Sequence, residues 1–416
     1  MTSADGSGPT SGRAPGRAPL AGVRVLDLTR VFAGPVAGRT LCDLGADVVK
    51  VEAPDGDISR MWGRKVAGLS TYFTQQNCGK RNVCVDLGHP AGQALVADLA
   101  AHADVLIENF RPGVMARHGL DWATLSERHP ALVMLSISGF GQDGPESDRA
   151  AYAAIIHAES GLVSTRDGAP PLDLPFAAAD VLSGMHGVIG VLAALRVREA
   201  TGIGQHIDVA MIDAMAYSSD LIVASLDGSP RTDDVRGQVW DTAAGPLMIT
   251  GGLKWIWHRM AEVHGLRDPT PKEADLEEKR SSRRRIVTEF LCSLPDRASV
   301  FAALDAANLA WGELRAGRAV IETPTLRARG TIASVDDRAG ATREVVRAPY
   351  RMSASDTSDV GVAAHRGEHN HQVLVEWLRY GPKEVDDLVG AGVLLNDEWA
   401  AARLAGRDGD AVGEER

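Results

Sequence analysis

VRVLDLTRVFAGPVAGRTLCDLGADVVKVE, Val23 to Glu52, decides the fold class. VRVLDL is a short run of β-branched and aliphatic residues, the composition of a buried strand. AGPVAGRTLCDLGA (Ala33–Ala46) has helical composition, and DVVKVEA (Asp47–Ala53) is strand again. Strand, helix and strand in so short a stretch form one βαβ unit, whose two strands lie parallel. The cycle repeats outward. NVCVDL (Asn82–Leu87), AGQALVADLAAHA (Ala91–Ala103) and DVLIENF (Asp104–Phe110) form the next unit, and ALVMLSISGFG (Ala131–Gly141) closes another. The pattern predicts an α/β protein with a doubly wound parallel sheet.

Further along, PFAAADVLSGMHGVIGVLAALRVREATGIGQ (Pro175–Gln205) predicts a long helix running to about Glu199 and turned by ATGIGQ. HIDVAM (His206–Met211) resumes a strand, and a second helix is expected around Asp213 to Leu226. After LDGSPRTDD the character changes, so residues 226–325 are expected to form a smaller domain. TPTLRARGTIASVD and EVVRAPYRMS predict returning strands. With two terminal helices, residues 326–400 would complete the large domain begun by 20–225. Residues 1–19 form a Gly/Ser/Pro-rich arm without an apolar core, and 401–416 a polar tail.

With 44% hydrophobic and 24% charged residues, the chain has the composition of an ordinary globular protein. A net charge of −11 argues against a nucleic-acid or membrane-surface binder, so any anionic ligand needs local basic residues. Cys42, Cys78, Cys84 and Cys292 show no zinc-like spacing; buried thiols in a cytoplasmic protein are expected. No run of apolar residues reaches about 18, so no membrane span is expected.

Several patterns suggest chemistry they do not complete. Gly139-Phe140-Gly141-Gln142-Asp143-Gly144 is a literal G-x-G-x-x-G after a strand, but Pro145 and a polar turn follow where a nucleotide loop needs a helix. KRSSRRR follows EADLEEK, and opposed charge blocks predict a solvated helix face. His369 and His371 have no third ligand nearby, so no metal is expected. No G-x-S-x-G nucleophile elbow occurs. Asp180 is the remaining question. It suits a helix N-cap, and a carboxylate held at a helix start also suits a nucleophile.

Five blocks, read in order, carry a family resemblance. They are LAGVRVLDLTRVFAGPVAGRTLCDLGADVVKVEAPDGD, NCGKRNVCVDL, ADVLIENFRPGVMARHGLDW, ISGFGQDGP and AAADVLSGMHGVIGVLAALRVREATGIGQHIDVAMIDA. With weaker echoes in TPTLRARGTI and GEHNHQVL, the chain from Leu20 to Leu395 resembles the family III CoA-transferases. The resemblance implies a Rossmann-like large domain, a smaller α/β domain and an interlocked homodimer. It places the family's nucleophilic aspartate on Asp180. CoA contacts fall on Arg30, Val31, Phe32, Ala33, Val85, Asn109, Phe110, Arg111, Arg117, His118 and Tyr152. His157, Ser183 and Gly184 are auxiliary candidates, the last two through helix-start amides facing a developing oxyanion.

The implied reaction exchanges CoA between an acyl-CoA and a carboxylic acid, with CoA a substrate and no permanently bound cofactor. An aspartate suits this chemistry. A serine would fall into an oxygen ester well below the thioester in energy, whereas a carboxylate forms a mixed anhydride from which transfer runs both ways. Two other roles remain open: an α-methylacyl-CoA racemase, or a non-catalytic CoA-binding subunit of a heteromer. The family's racemases carry a His–Asp pair where this chain has Tyr152 and Ala153, and a phenol is a poor base at neutral pH.

Overall fold

The structure is a computed structural model that describes residues 18–163, 176–226, 237–355, 357 and 360–398. The arm expected over 1–19 lies outside these except for its last two residues, and the tail over 401–416 lies wholly outside. Six strands form the main sheet: β1 (Arg24–Asp27), β2 (Asp47–Glu52), β3 (Arg81–Cys84), β4 (Val105–Glu108), β5 (Val133–Ser138) and β6 (His206–Ala210). Their spatial order is β3-β2-β1-β4-β5-β6 and every neighbouring pair is parallel. This is the Rossmann-like doubly wound arrangement, in which the connections reverse direction between β1 and β4.

The central strands are covered on both faces, which is why β1, β4 and β5 are nearly continuous buried runs rather than alternating ones. Helices α1 (Ala33–Asp43), α2 (Thr71–Asn77), α3 (Pro90–Ala101), α4 (Val114–Arg117), α5 (Trp122–Arg128), α6 (Ala153–Glu159), α7 (Ala178–Thr201) and α8 (Met211–Tyr217) accompany it. On one face Val25, Val105, Val133 and Leu135 pack with Leu41 of α1 and Val188 and Val191 of α7. On the other, Leu26, Val49, Val83 and Leu106 pack with Leu99 of α3 and with Val373, Trp377 and Val385 from the end of the chain.

The described residues fall into two compact units, one from within 1–219 and 328–416, the other from within 220–327. The second contains α9 (Asp220–Ser225) and a three-stranded antiparallel sheet of β7 (Gln238–Trp240), β8 (Leu247–Ile249) and β9 (Trp311–Glu313). Helices α10 (Leu253–His264), α11 (Leu276–Ser293) and α12 (Arg297–Ala306) build its core around Trp240, Met260, Leu291 and Leu304.

Three expectations need correction. The helix predicted over 213–226 is two helices, α8 and α9, broken at Ser218-Ser219, and the break coincides with the boundary between units. The returning strands β10 (Ile332–Asp336) and β11 (Thr342–Val346) form an antiparallel ribbon of their own, and TPTLRA contributes a helical turn, Pro324–Ala328. Finally, α7 is long and apolar enough to cross a membrane by length and composition, although half of its apolar window is buried on the sheet and α1. The KRSSRRR run does lie on a solvated helix: in α11, Arg283 pairs with Asp268 and Arg285 with Glu289.

Candidate active site

The loops leaving the C-terminal ends of β1 and β4 emerge side by side where the strand order reverses. In open α/β sheets this crevice is where ligands bind. The first loop carries Arg30, Val31 and Phe32 and leads into α1 at Ala33, and the second carries Asn109, Phe110 and Arg111. They are tied together. The Arg30 amide donates to Asn109 Oδ1 at 2.9 Å, and Asn109 Nδ2 donates to the Arg30 carbonyl at 2.9 Å. The Phe110 amide donates to Glu108 Oε2 at 2.8 Å. Burial pushes the Glu108 carboxyl up to about 7, against the opposing hydrogen bonds from Ser136 and Phe110.

Asp180 is the third residue of α7, so it is not the N-cap; Ala177 occupies that position without a capping side chain. The helix start is completed from elsewhere. His157, on α6, accepts the Ala179 amide at its Nε2 at 3.1 Å, and the Ala178 amide donates to the Phe176 carbonyl at 2.9 Å. Burial also lowers the His157 pKa, keeping the ring in the neutral form that this contact requires. The Asp180 carboxyl is pushed up to about 6 by burial, an effect that the Ala33 amide directed at it partly offsets. Gly184 permits that approach: a Cβ there would lie 2.3 Å from Val36 Cγ1 and 2.6 Å from the Ala33 carbonyl oxygen.

The auxiliary residues behave differently from expectation. Ser183 Oγ donates back to the Ala179 carbonyl at 2.7 Å and to the Asp180 carbonyl at 3.1 Å. Ser183 and Gly184 lie beyond the first turn, where helical amides are already bonded to the preceding turn. The helix-start oxyanion donors expected there are therefore absent, and the amide that faces Asp180 belongs to α1. Val85 is also corrected. Its side chain is fully buried and its backbone bridges to Leu394, leaving no surface for a ligand.

Arg30, Arg111 and Arg117 are exposed, and among the described residues none has an acidic partner. His118, after α4, meets Gln93 Nε2 through Nδ1 at 3.4 Å. Tyr152 precedes α6 with 68% of its surface exposed, so its phenol is open to a ligand. Sequence reasoning missed Tyr72 and Trp62. Tyr72 packs at 5.6 Å from Phe32 and edge-on at 5.1 Å from Trp62. Burial, and then the charges of Asp180 and Asp57, push its phenol up to about 12. The only local signal was a cluster of aromatics in a chain with few of them. Among the described residues, no group of three His, Cys, Asp or Glu side chains is arranged to hold a metal.

A family model described as CoA-transferase family III matches residues 20–370. The chain belongs to that family. It is 32% identical to the succinyl-CoA–L-malate CoA-transferase beta subunit of Chloroflexus aurantiacus, over 89% of this chain and 96% of that protein. It is 34% identical to the succinate–glutarate CoA-transferase of Agrobacterium fabrum, over 86% and 95%. The formyl-CoA:oxalate CoA-transferase of Streptomyces avermitilis is 32% identical over 90% and 99%. Among solved structures, a CaiB/BaiF family protein from Brucella suis superimposes with a TM-score of 0.73 at 30% identity, covering 87% of this chain and all of that one. The protein is thus a CoA-transferase, an enzyme acting on CoA thioesters. In this chain Asp180 is partly buried, Phe32, Tyr72 and Trp62 pack together, and Arg30, Arg111 and Arg117 are exposed.

Proposed function

We propose that the protein is an acyl-CoA:carboxylate CoA-transferase that works through an aspartyl anhydride and an aspartyl-CoA thioester on Asp180. The observation that carries this reading is the placement of Asp180. Its carboxylate stands beside the switch-point crevice, partly buried and with the Ala33 amide directed at it. In the first step a carboxylate oxygen attacks the thioester carbonyl and CoA leaves as the thiolate, forming a mixed anhydride. The thiolate then attacks the aspartyl carbonyl, releasing the donor's carboxylate and leaving aspartyl-CoA. The acceptor carboxylate attacks that thioester and expels the thiolate again. Attack of the thiolate on the acceptor's acyl carbon yields the new acyl-CoA and free Asp180. The Ala33 N–H stands where a preorganised donor would stabilise the oxyanion at the aspartyl carbonyl. Exposed Arg30, Arg111 and Arg117 suit the CoA phosphates, to which guanidinium groups bind bidentately.

The racemase alternative is less well supported. It needs a base facing Asp180, yet the Nε2 lone pair of His157 is occupied by the Ala179 amide, and Ala153 has no proton to exchange. We also propose a cytoplasmic homodimer, interlocked as in the family. Supporting it, α7 exposes Ile189, Leu192 and Val197 along one stripe. The test incubates the purified protein with succinyl-CoA or formyl-CoA, each with malate, glutarate or oxalate, under mass-spectrometric readout. Added hydroxylamine is expected to leave a hydroxamate on the peptide containing Asp180. Undiminished transfer by Asp180→Ala would refute the mechanism.

A further inference from the structure

Val31 has φ of 72°, in the left-handed region that a β-branched side chain rarely enters. Such a conformation persists only where its surroundings over-determine it, and it tends to mark a functional position. Here the surroundings are unusually explicit. The Val31 amide donates to both oxygens of Asp57, at 3.1 and 3.2 Å. Asp57 is itself immobilised: Oδ1 accepts from the Ser59 amide at 3.0 Å and from Ser59 Oγ at 2.8 Å, and Oδ2 faces Lys50 Nζ at 3.2 Å. Lys50 Nζ also donates to the Thr29 carbonyl at 2.6 Å, so one buried ammonium holds both Asp57 and the start of the loop. Asp57 and Lys50 are each almost wholly buried. Burial opposes the charge on Asp57, but Lys50 and the donors from Ser59 and Val31 outweigh it and hold its carboxyl at about 2.

The consequence appears two residues on. Asn109 fixes the Arg30 peptide and Asp57 fixes the Val31 amide, so the chain enters α1 with Ala33 packed against Gly184, one turn along α7 from Asp180, where its amide lowers the Asp180 pKa. As the first residue of α1, Ala33 has an amide with no partner inside its helix. We propose that Asp57, locked by Lys50, is a positioning residue for the transfer reaction: it holds Val31 in its strained conformation so that the Ala33 amide stays on Asp180. This rests on the reading of Asp180 as the nucleophile. A bare carboxylate in a core needs its cation only for solvation. One that grips a strained backbone amide beside the nucleophile acts on the site as well.

The test needs no substrate. Thermal stability of the full-length protein is measured against pH, each background paired with its Asp180→Asn counterpart, so that the difference reports the Asp180 titration. The groups that act on the Asp180 charge are the Ala33 amide from α1 and the Tyr72 phenol from α2, and His157 on α6 accepts the amide of the preceding residue, Ala179. In the parent protein the difference is expected to titrate near 6. In Asp57→Asn the midpoint should rise by about half a unit or more, because the Ala33 amide drifts away. Loss of the Asp57 charge alone would move it down, so the direction separates positioning from simple electrostatics. Adding Val31→Gly should return the midpoint, since glycine adopts this φ without strain. An unchanged or lowered midpoint in Asp57→Asn, or no recovery with Val31→Gly, overturns the proposal. Should Asp57→Asn not fold, refolding by Val31→Gly supports the strain argument and its failure overturns it. Failure of the nucleophile reading is seen separately, as transfer activity that survives Asp180→Asn.

Discussion

Asp180 carries two opposed influences: burial favours its neutral form, and the Ala33 amide favours its charged form. Burial wins, placing the carboxyl at about 6 rather than at its ordinary 3.8. In the proposed mechanism the attacking species is the carboxylate, so kcat/KM for transfer is expected to fall tenfold per pH unit below about 6. A pH profile whose acid limb lies near 4 would contradict that environment. The stability effect has a definite sign. A folded-state pKa above the unfolded one means that ionisation costs the fold, from pH 3.8 up through about 6. Asp180→Asn is therefore expected to be more stable than the parent at neutral pH, by on the order of 1–3 kcal/mol. The gain should vanish at pH values below the unfolded pKa, as calorimetry at the two pH extremes can show. The role of nucleophile was implied by the family resemblance, and that Asp180 starts an apolar helix was legible in the sequence. Its raised pKa was not, because a helix-start position by itself argues for an ionised carboxylate, and burial is a property of the assembled core.

Among the elements, α1 and α7 form the contact that matters most to chemistry. Both pack on the same face of the sheet, and Gly184 sets how closely they approach. A methyl group there would lie 2.6 Å from a backbone oxygen and 2.3 Å from Val36, closer than real contacts allow. Gly184→Ala is expected to push the helices apart and cost about 1–3 kcal/mol, the scale of overpacking a filled interior. Transfer should fall by a larger factor than stability alone explains, because the Ala33 amide retreats from Asp180. Equal transfer rates in the two proteins, measured under conditions where both are folded, would remove Gly184 from the site's architecture. The length of α7 was readable from its composition and from Gly202, which ends it in the left-handed conformation at φ of 76°. The oxyanion donors expected at Ser183 and Gly184 were misplaced for a simple reason. Orphan amides exist only in the first helical turn, and the helix begins at Ala178.

At the scale of the whole molecule, both ends of the chain build the unit that holds the site. Val373, Trp377 and Val385 join the same core as Leu26 and Val49. The exposed stripe on α7 is the strongest physical argument for a second copy of the chain, since exposed apolar residues aligned along one helix face call for a partner. Replacing Ile189 and Leu192 together by Glu is expected to convert the proposed dimer to monomer in sedimentation or light-scattering measurements. A dimer unaffected by that double charge would place the interface elsewhere. The net charge of −11 makes exposed Arg30 and Arg111, on the two loops at the crevice, stand out. In such a protein a local cationic patch has to be maintained against the overall field.

What the sequence determined by itself is periodic or local: the alternation of apolar strands with helices, the parallel sheet that follows, the helix behind Asp180, and the motif order that identifies the family. These are legible because strand and helix periods are set by neighbours in the chain. What only the tertiary structure decided is which distant groups meet. Arg30 with Asn109, Val31 with Asp57, the Ala179 amide with His157 and the Ala33 amide with Asp180 each join separate segments. No local pattern encodes such pairs. They exist because a close-packed interior leaves almost no buried donor or acceptor unpaired, and the partner is whichever group the packing brings within reach.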